Sequence, residues 1–216
     1  MEPGLKLFFR ISQLTILVPL IIAIVFRYRL SREQKFIGIV VTVSFLTELA
    51  ATLVAMLSVN PNNWFLYHGF AVIMFYLMNR IYKTALVEVY PGRLFDWLAV
   101  LFVLFSLLNT LLWQSIDTIN SNVIVAGNLL YMFFSLSYFY FMLNSPSSGG
   151  AKRDPIFWLN TGVLLYNSGA LVLFLLVNNM VAESPELLTT SWILNAVFSI
   201  MLNGFYSFSL WTKQRV

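Results

Sequence analysis

Glu48 lies midway along an apolar stretch, Phe36–Val59, in which it is the one charged residue. A carboxylate at the centre of a membrane helix costs roughly 2.5 kcal/mol or more. We therefore expect Glu48 to face other helices or a wet cavity rather than lipid, and to stay neutral unless a cation approaches it. Ionisable residues at this depth typically serve functional sites, which makes Glu48 the first candidate for a binding residue.

Polar side chains recur at helical spacing in the neighbouring apolar stretches and supply candidate partners for Glu48. His68 and Asn79, eleven residues apart, fall within about 20° of each other on a helix, with His68 about one turn below one surface. A tyrosine hydroxyl, Asn167 or Asn203 lies nearer to Glu48 in depth. The candidate ligand-binding residues are Glu48, His68, Asn128, Tyr131, Asn167, Asn195 and Asn203.

The last apolar stretch carries the most regular polar pattern, with Ser or Asn at every fourth position. Such residues usually join membrane helices by hydrogen bonds, so the pattern favours helix packing, and a lined cavity is the alternative. Gly162 and Gly169, seven residues apart, indicate close packing of a second helix. Pro19 predicts a tolerated kink. The stripe consists of Ser191, Asn195, Ser199, Asn203 and Ser207.

Several kinds of chemistry are disfavoured by residue type alone. A retinal Schiff base needs a lysine within the last helix, and Lys213 lies beyond Trp211. One His and one mid-span carboxylate are too few for a zinc site, which needs about three ligands. No G-x-S-x-G motif appears, and the chain has no cysteine. We therefore expect no enzyme activity, no cofactor and no metal.

Composition and hydropathy define the elements that must position these residues. The chain has 216 residues, 59% hydrophobic and 10% charged, against about 25% charged in soluble domains. Its length favours a single domain, 1–216, an all-α integral membrane protein with seven transmembrane helices of about 20 residues each. The predicted spans are Phe8–Phe26, Phe36–Val59, Trp64–Tyr82, Leu94–Trp113, Asn122–Leu143, Pro155–Val177 and Ser191–Trp211.

The distribution of Lys and Arg predicts how the seven spans are threaded. Eleven of the thirteen basic residues fall in the loops after the first, third and fifth spans and in the C-terminal tail. The other side has only Lys6 and Arg10. By the positive-inside rule the N-terminus is outside and the C-terminus cytoplasmic. The basic residues are thus explained by topology, and we expect no nucleic-acid partner.

Two sets of residues resemble a known group of membrane proteins. The run Asp154–Asn160 followed by Tyr166–Gly169, together with Leu46–Leu49 and Trp64–His68, is similar to short bacterial seven-helix proteins, which in turn resemble the membrane input regions of some histidine kinases. The resemblance implies a location in the bacterial inner membrane and nominates Glu48, His68, Asn160 and Asn167. It brings no assigned activity. In topology alone the chain also resembles the SWEET sugar transporters.

The pattern favours a sensor or receptor-like module in which a small molecule or lipid enters a cavity between the helices around Glu48. We expect that cavity to be lined by the second, third, fifth, sixth and seventh spans. The first alternative is a small transporter, in one version proton-coupled, with its helices arranged three plus one plus three. The second is a scaffold subunit without a ligand. Expected partners are membrane lipids, a small-molecule ligand and a separate signalling protein.

Overall fold

The computed structural model describes residues 3–58, 62–144, 153–183 and 185–212; for residues 178–183 and 185 it describes the backbone alone. Its described residues form eight α-helices and no strand, which confirms the all-α prediction. The helices are α1 Pro3–Leu14, α2 Leu17–Val25, α3 Arg32–Leu57, α4 Trp64–Ala85, α5 Gly92–Leu112, α6 Ser121–Asn144, α7 Pro155–Glu183 and α8 Pro185–Trp211.

Among the residues that the structure describes, six stretches are long and apolar enough to cross a membrane: α1 with α2, then α3, α5, α6, α7 and α8. They indicate a multi-pass membrane protein. The third predicted span corresponds to α4, which has the required length but falls outside this group. Its hydropathy is reduced by His68, Asn79 and Arg80, which interrupt the apolar residues of this helix.

The first span is broken between α1 and α2, near the predicted kink at Pro19. A proline has no backbone N–H to donate and crowds the carbonyl four residues earlier, which here belongs to Thr15. The Thr15 carbonyl instead accepts a 3.2 Å bond from the Val18 N–H. The Thr15 hydroxyl accepts a 2.8 Å bond from Asn203 Nδ2 on α8, so the break is held against the last helix.

Helices α7 and α8 extend beyond the apolar spans predicted for them, Pro155–Val177 and Ser191–Trp211. Helix α7 continues to Glu183 and α8 begins at Pro185. Hydropathy marks where a helix leaves hydrocarbon, whereas its backbone hydrogen bonds can continue into water. Pro185 suits a helix start, where its missing N–H costs nothing.

One end of the bundle, here called the packed end, is where α3, α5 and α7 begin and α4, α6 and α8 finish. Three side-chain contacts bring these ends together. Gln34 near the start of α3 donates to the Ser209 carbonyl of α8 at 2.9 Å, Lys83 of α4 pairs with Asp96 of α5 at 2.6 Å, and Tyr138 of α6 donates to Asp154 at 2.6 Å. The main hydrophobic core lies here, around buried Tyr82, Phe95, Phe134 and Leu159.

Gly162 and Gly169 lie on the face of α7 that packs against α8. A Cβ atom on Gly162 would lie 2.6 Å from Phe205 Cβ, and one on Gly169 would collide with the ring of Phe198. Phe198 and Phe205 are also seven residues apart, so two phenylalanines of α8 fit over two glycines of α7. The prediction of close helix packing at these glycines is confirmed.

Candidate functional site

A cavity of about 730 Å³ lies between the helices at the other end of the bundle, here called the hollow end. It extends from residues near that surface, such as Trp64 and Asn120, down to Met78 and Tyr206. The predicted spans two, three, five, six and seven all contribute, and α1 adds Ser12 and Gln13. Six of the seven predicted ligand-binding residues line it: Glu48, Asn128, Tyr131, Asn167, Asn195 and Asn203.

Glu48 is half-buried on the cavity wall. Gln13 Nε2 donates to Glu48 Oε2 at 3.3 Å, and the Tyr67 hydroxyl donates to Oε1 at 3.4 Å. Both bonds are long beside the 2.7–2.9 Å typical of a charge-assisted bond. A carboxylate can accept about four hydrogen bonds, so Glu48 is held in place with acceptor capacity left facing the cavity.

His68 is the one predicted ligand-binding residue that the structure places away from the cavity. It is buried, with Nε2 3.0 Å from the Thr118 carbonyl and Nδ1 3.0 Å from the Thr110 hydroxyl. Asn79, on the same face of α4, donates to the Phe95 carbonyl at 2.7 Å. The face of α4 with His68 and Asn79 therefore packs on α5 and on the connection after α5. Tyr67, the residue before His68, contacts Glu48 instead.

The polar stripe of α8 both lines the cavity and holds helices together. Asn195, Ser199 and Asn203 are on the cavity wall. The Ser199 hydroxyl donates to the Asn195 carbonyl of its own helix at 2.9 Å, while Asn203 is joined to Thr15 as described above. The two alternatives for this stripe are thus combined along one helix.

Three asparagines on the cavity wall each have one buried amide atom without a hydrogen-bond partner. These atoms are Nδ2 of Asn120, Nδ2 of Asn128 and Oδ1 of Asn195. Buried polar side-chain atoms are usually paired because an unpaired one costs about 1–3 kcal/mol. Two donors and one acceptor beside the cavity are therefore buried without a partner, and they lower the stability of this end of the bundle.

Aromatic residues that the sequence did not nominate form another part of the wall. Trp64 and Tyr67 of α4 lie with ring centroids 6.0 Å apart, and Phe174 of α7 meets Trp192 of α8 edge-on, also at 6.0 Å. We call these four residues the aromatic wall. Gln13 was missed as well, although an amide within the first apolar span was a signal for it.

Below the cavity, a closed hydrogen-bond network joins three helices at the packed end. The Tyr82 hydroxyl is 2.8 Å from both the Ser135 hydroxyl and Asn160 Oδ1, and Asn160 Nδ2 donates to the Ser135 carbonyl at 3.0 Å. All three residues are buried. Asn160, which the resemblance nominated, therefore belongs to the floor of the bundle rather than to the cavity wall.

The fold and site define a class, a helical multi-pass membrane protein with a cavity beside one half-buried carboxylate. No family model, no curated protein and no solved structure matches the sequence. Within the described residues no three His, Cys, Asp or Glu side chains come together as metal ligands. The argument for function therefore starts from the cavity itself, and the resemblance to bacterial seven-helix proteins stays a prediction.

Proposed function

We propose that this protein is a sensor or receptor-like module of the bacterial inner membrane that binds an amphipathic small molecule or lipid in its cavity. The observation that carries the proposal is the 730 Å³ cavity, which falls within the 300–1,000 Å³ usual for ligand sites. Its wall has the usual composition of such sites, mainly apolar and aromatic with a few polar groups placed among them.

The orientation of the protein follows from the position of its basic residues. Arg29 and Arg153, in connections between helices, and Arg93, at the start of α5, lie at the packed end, which by the positive-inside rule faces the cytoplasm. In this arrangement α4 also crosses the membrane, as the third of seven spans, and the cavity is in the outer half. A ligand then acts on helices whose cytoplasmic ends are joined in one core, where a separate signalling partner can read their positions.

A small transporter is the second candidate, and the bonding of Glu48 favours it. Within the described residues its carboxylate accepts hydrogen bonds from the neutral groups of Gln13 and Tyr67 and forms no ion pair. Such a carboxylate can exchange a proton for a cation during transport. Flux of a bound compound into proteoliposomes separates a carrier from a receptor.

Ligand binding is tested with a variant whose added side-chain volume fills the cavity while Glu48 is left unchanged. Ala71 of α4 lines the cavity, whereas Ile73 of the same helix is exposed on the outer surface of the bundle. We expect at least one compound from a panel of alkyl amines, alcohols and fatty acids to raise the thermal unfolding midpoint of the wild type and of Ile73→Trp. The same compound should not raise that of Ala71→Trp, whose indole occupies the site.

Circular dichroism and the unfolding midpoint without compound show whether each variant is folded. A second filling variant, Ala196→Phe, places the added volume on α8 instead of α4. Stabilisation that persists in both folded filling variants would mean that the compounds act elsewhere. A wild type that responds to no compound would favour the scaffold subunit without a ligand.

A further inference from the structure

We propose that the cavity selects an organic cation with an apolar body, with Glu48 as its counter-charge and the aromatic wall around its positive group. This inference rests on the proposed function and names the chemical class of the ligand. It is drawn from three features of the cavity: the charges on its wall, the position of its aromatic rings, and the long hydrogen bonds of Glu48.

The wall of the cavity carries one formal charge among its described residues, and that charge belongs to Glu48. No Lys, Arg or His of the described residues lines it. An anion would lie beside a carboxylate with no basic group to compensate it, which is unfavourable at low dielectric. A cation would instead form an ion pair with Glu48 and offset the cost of placing that carboxylate within the membrane.

The aromatic wall suits the positive end of such a ligand. A cation over the face of Trp, Tyr or Phe is attracted by the ring, and sites for quaternary ammonium groups use several rings together. Tyr67 connects the two features because its ring belongs to the wall while its hydroxyl lies 3.4 Å from Glu48 Oε1. The counter-charge and at least one ring are therefore within reach of the same ligand atom.

The existing partners of Glu48 leave room for a ligand group. Gln13, whose side chain is exposed, donates a long hydrogen bond of 3.3 Å to Glu48. An ammonium group of a ligand can form a shorter, charge-assisted bond to the same carboxylate.

The test compares three probes of one shape and different charge, namely octyltrimethylammonium, its neutral tert-butyl carbon isostere and an octyl sulfonate. Binding is measured by tryptophan fluorescence of the full chain in lipid nanodiscs, because Trp64 and Trp192 line the cavity. We expect the cation to bind about tenfold or more tightly than the isostere, and the sulfonate to bind weakest. Glu48→Gln should remove that preference.

The control is Glu88→Gln, which removes the same charge at an exposed position after α4 and should keep the preference. Glu48→Asp retains a carboxylate and should keep part of the preference for the cation. It is the second variant to use if Glu48→Gln lowers stability. Equal affinity of the wild type for the cation and the isostere would overturn the inference and leave ligand binding in the cavity standing. Loss of all binding in Ala71→Trp confirms that the probes occupy the cavity, whereas binding that persists there overturns both proposals.

Discussion

Glu48 and His68 are both predicted ligand-binding residues, and their surroundings in the structure give them different roles. Glu48 meets two neutral donors through long hydrogen bonds and faces open volume. His68 has both ring nitrogens within 3.0 Å of partners and is buried between α4 and the α5–α6 connection. Glu48 therefore keeps hydrogen-bonding capacity for a ligand, whereas both ring nitrogens of His68 are already bonded within the protein.

We therefore expect His68→Ala to lower stability while leaving ligand binding intact. The variant loses two hydrogen bonds and some packing, which together amount to about 1–3 kcal/mol of unfolding free energy. Tyr76→Ala, on the exposed side of the same helix, should cost less. Denaturation in detergent micelles measures the loss, and a His68→Ala protein of full stability that no longer binds the cation probe would contradict this assignment.

At the scale of helices, α7 and α8 pack closely, and the cause is visible in residue size. Two glycines about two turns apart on α7 let Phe198 and Phe205 approach its backbone. Membrane helices associate through such close packing because lipid supplies no hydrophobic driving force between them. The polar stripe lies on the neighbouring face of α8, because Ser199 follows Phe198 by one residue, about 100° around the helix.

Gly162→Ala tests this packing, since the added methyl group would meet Phe205 Cβ at 2.6 Å. A Cβ atom cannot swing away as the end of a long side chain can, so the helices must separate, at about 1–3 kcal/mol. Gly204→Ala is the matched control because its Cβ meets nothing within 4 Å. Thermal unfolding followed by circular dichroism should show a lower midpoint for Gly162→Ala alone; equal midpoints would refute the argument.

At the scale of the whole molecule, the bundle is packed at one end and hollow at the other. The packed end holds the main core, the Gln34 contacts with the end of α8 and the Tyr82–Ser135–Asn160 network. The hollow end holds the cavity. With this asymmetry, the proposed response runs in one direction: a ligand binds in the outer half, and the helix ends on the cytoplasmic side move.

The natural absence of cysteine allows this orientation, and the crossing by α4, to be tested directly. Ser58 and Glu88 are exposed residues on either side of α4. We expect a membrane-impermeant maleimide to label Ser58→Cys in intact spheroplasts and Glu88→Cys only after the membrane is permeabilised. Labelling of both from the same side would mean that α4 does not cross, and the reverse pattern would invert the protein.

The sequence by itself determined the helical class and the approximate limits of the apolar spans, and six of its seven ligand-binding candidates lie on the cavity wall. These features depend on hydropathy and on helical periodicity, which are local properties of the chain. It could not decide which polar face turns towards which neighbour, because that depends on side-chain packing between distant segments.

The tertiary structure alone showed that His68 turns to α5, that Tyr67 and Gln13 reach Glu48, and that the aromatic wall assembles from three helices. Residues 67 and 68 differ by about 100° around α4, and only the position of α5 decides which of them faces the cavity. The cavity itself is likewise a property of how the helices diverge, which no single span encodes.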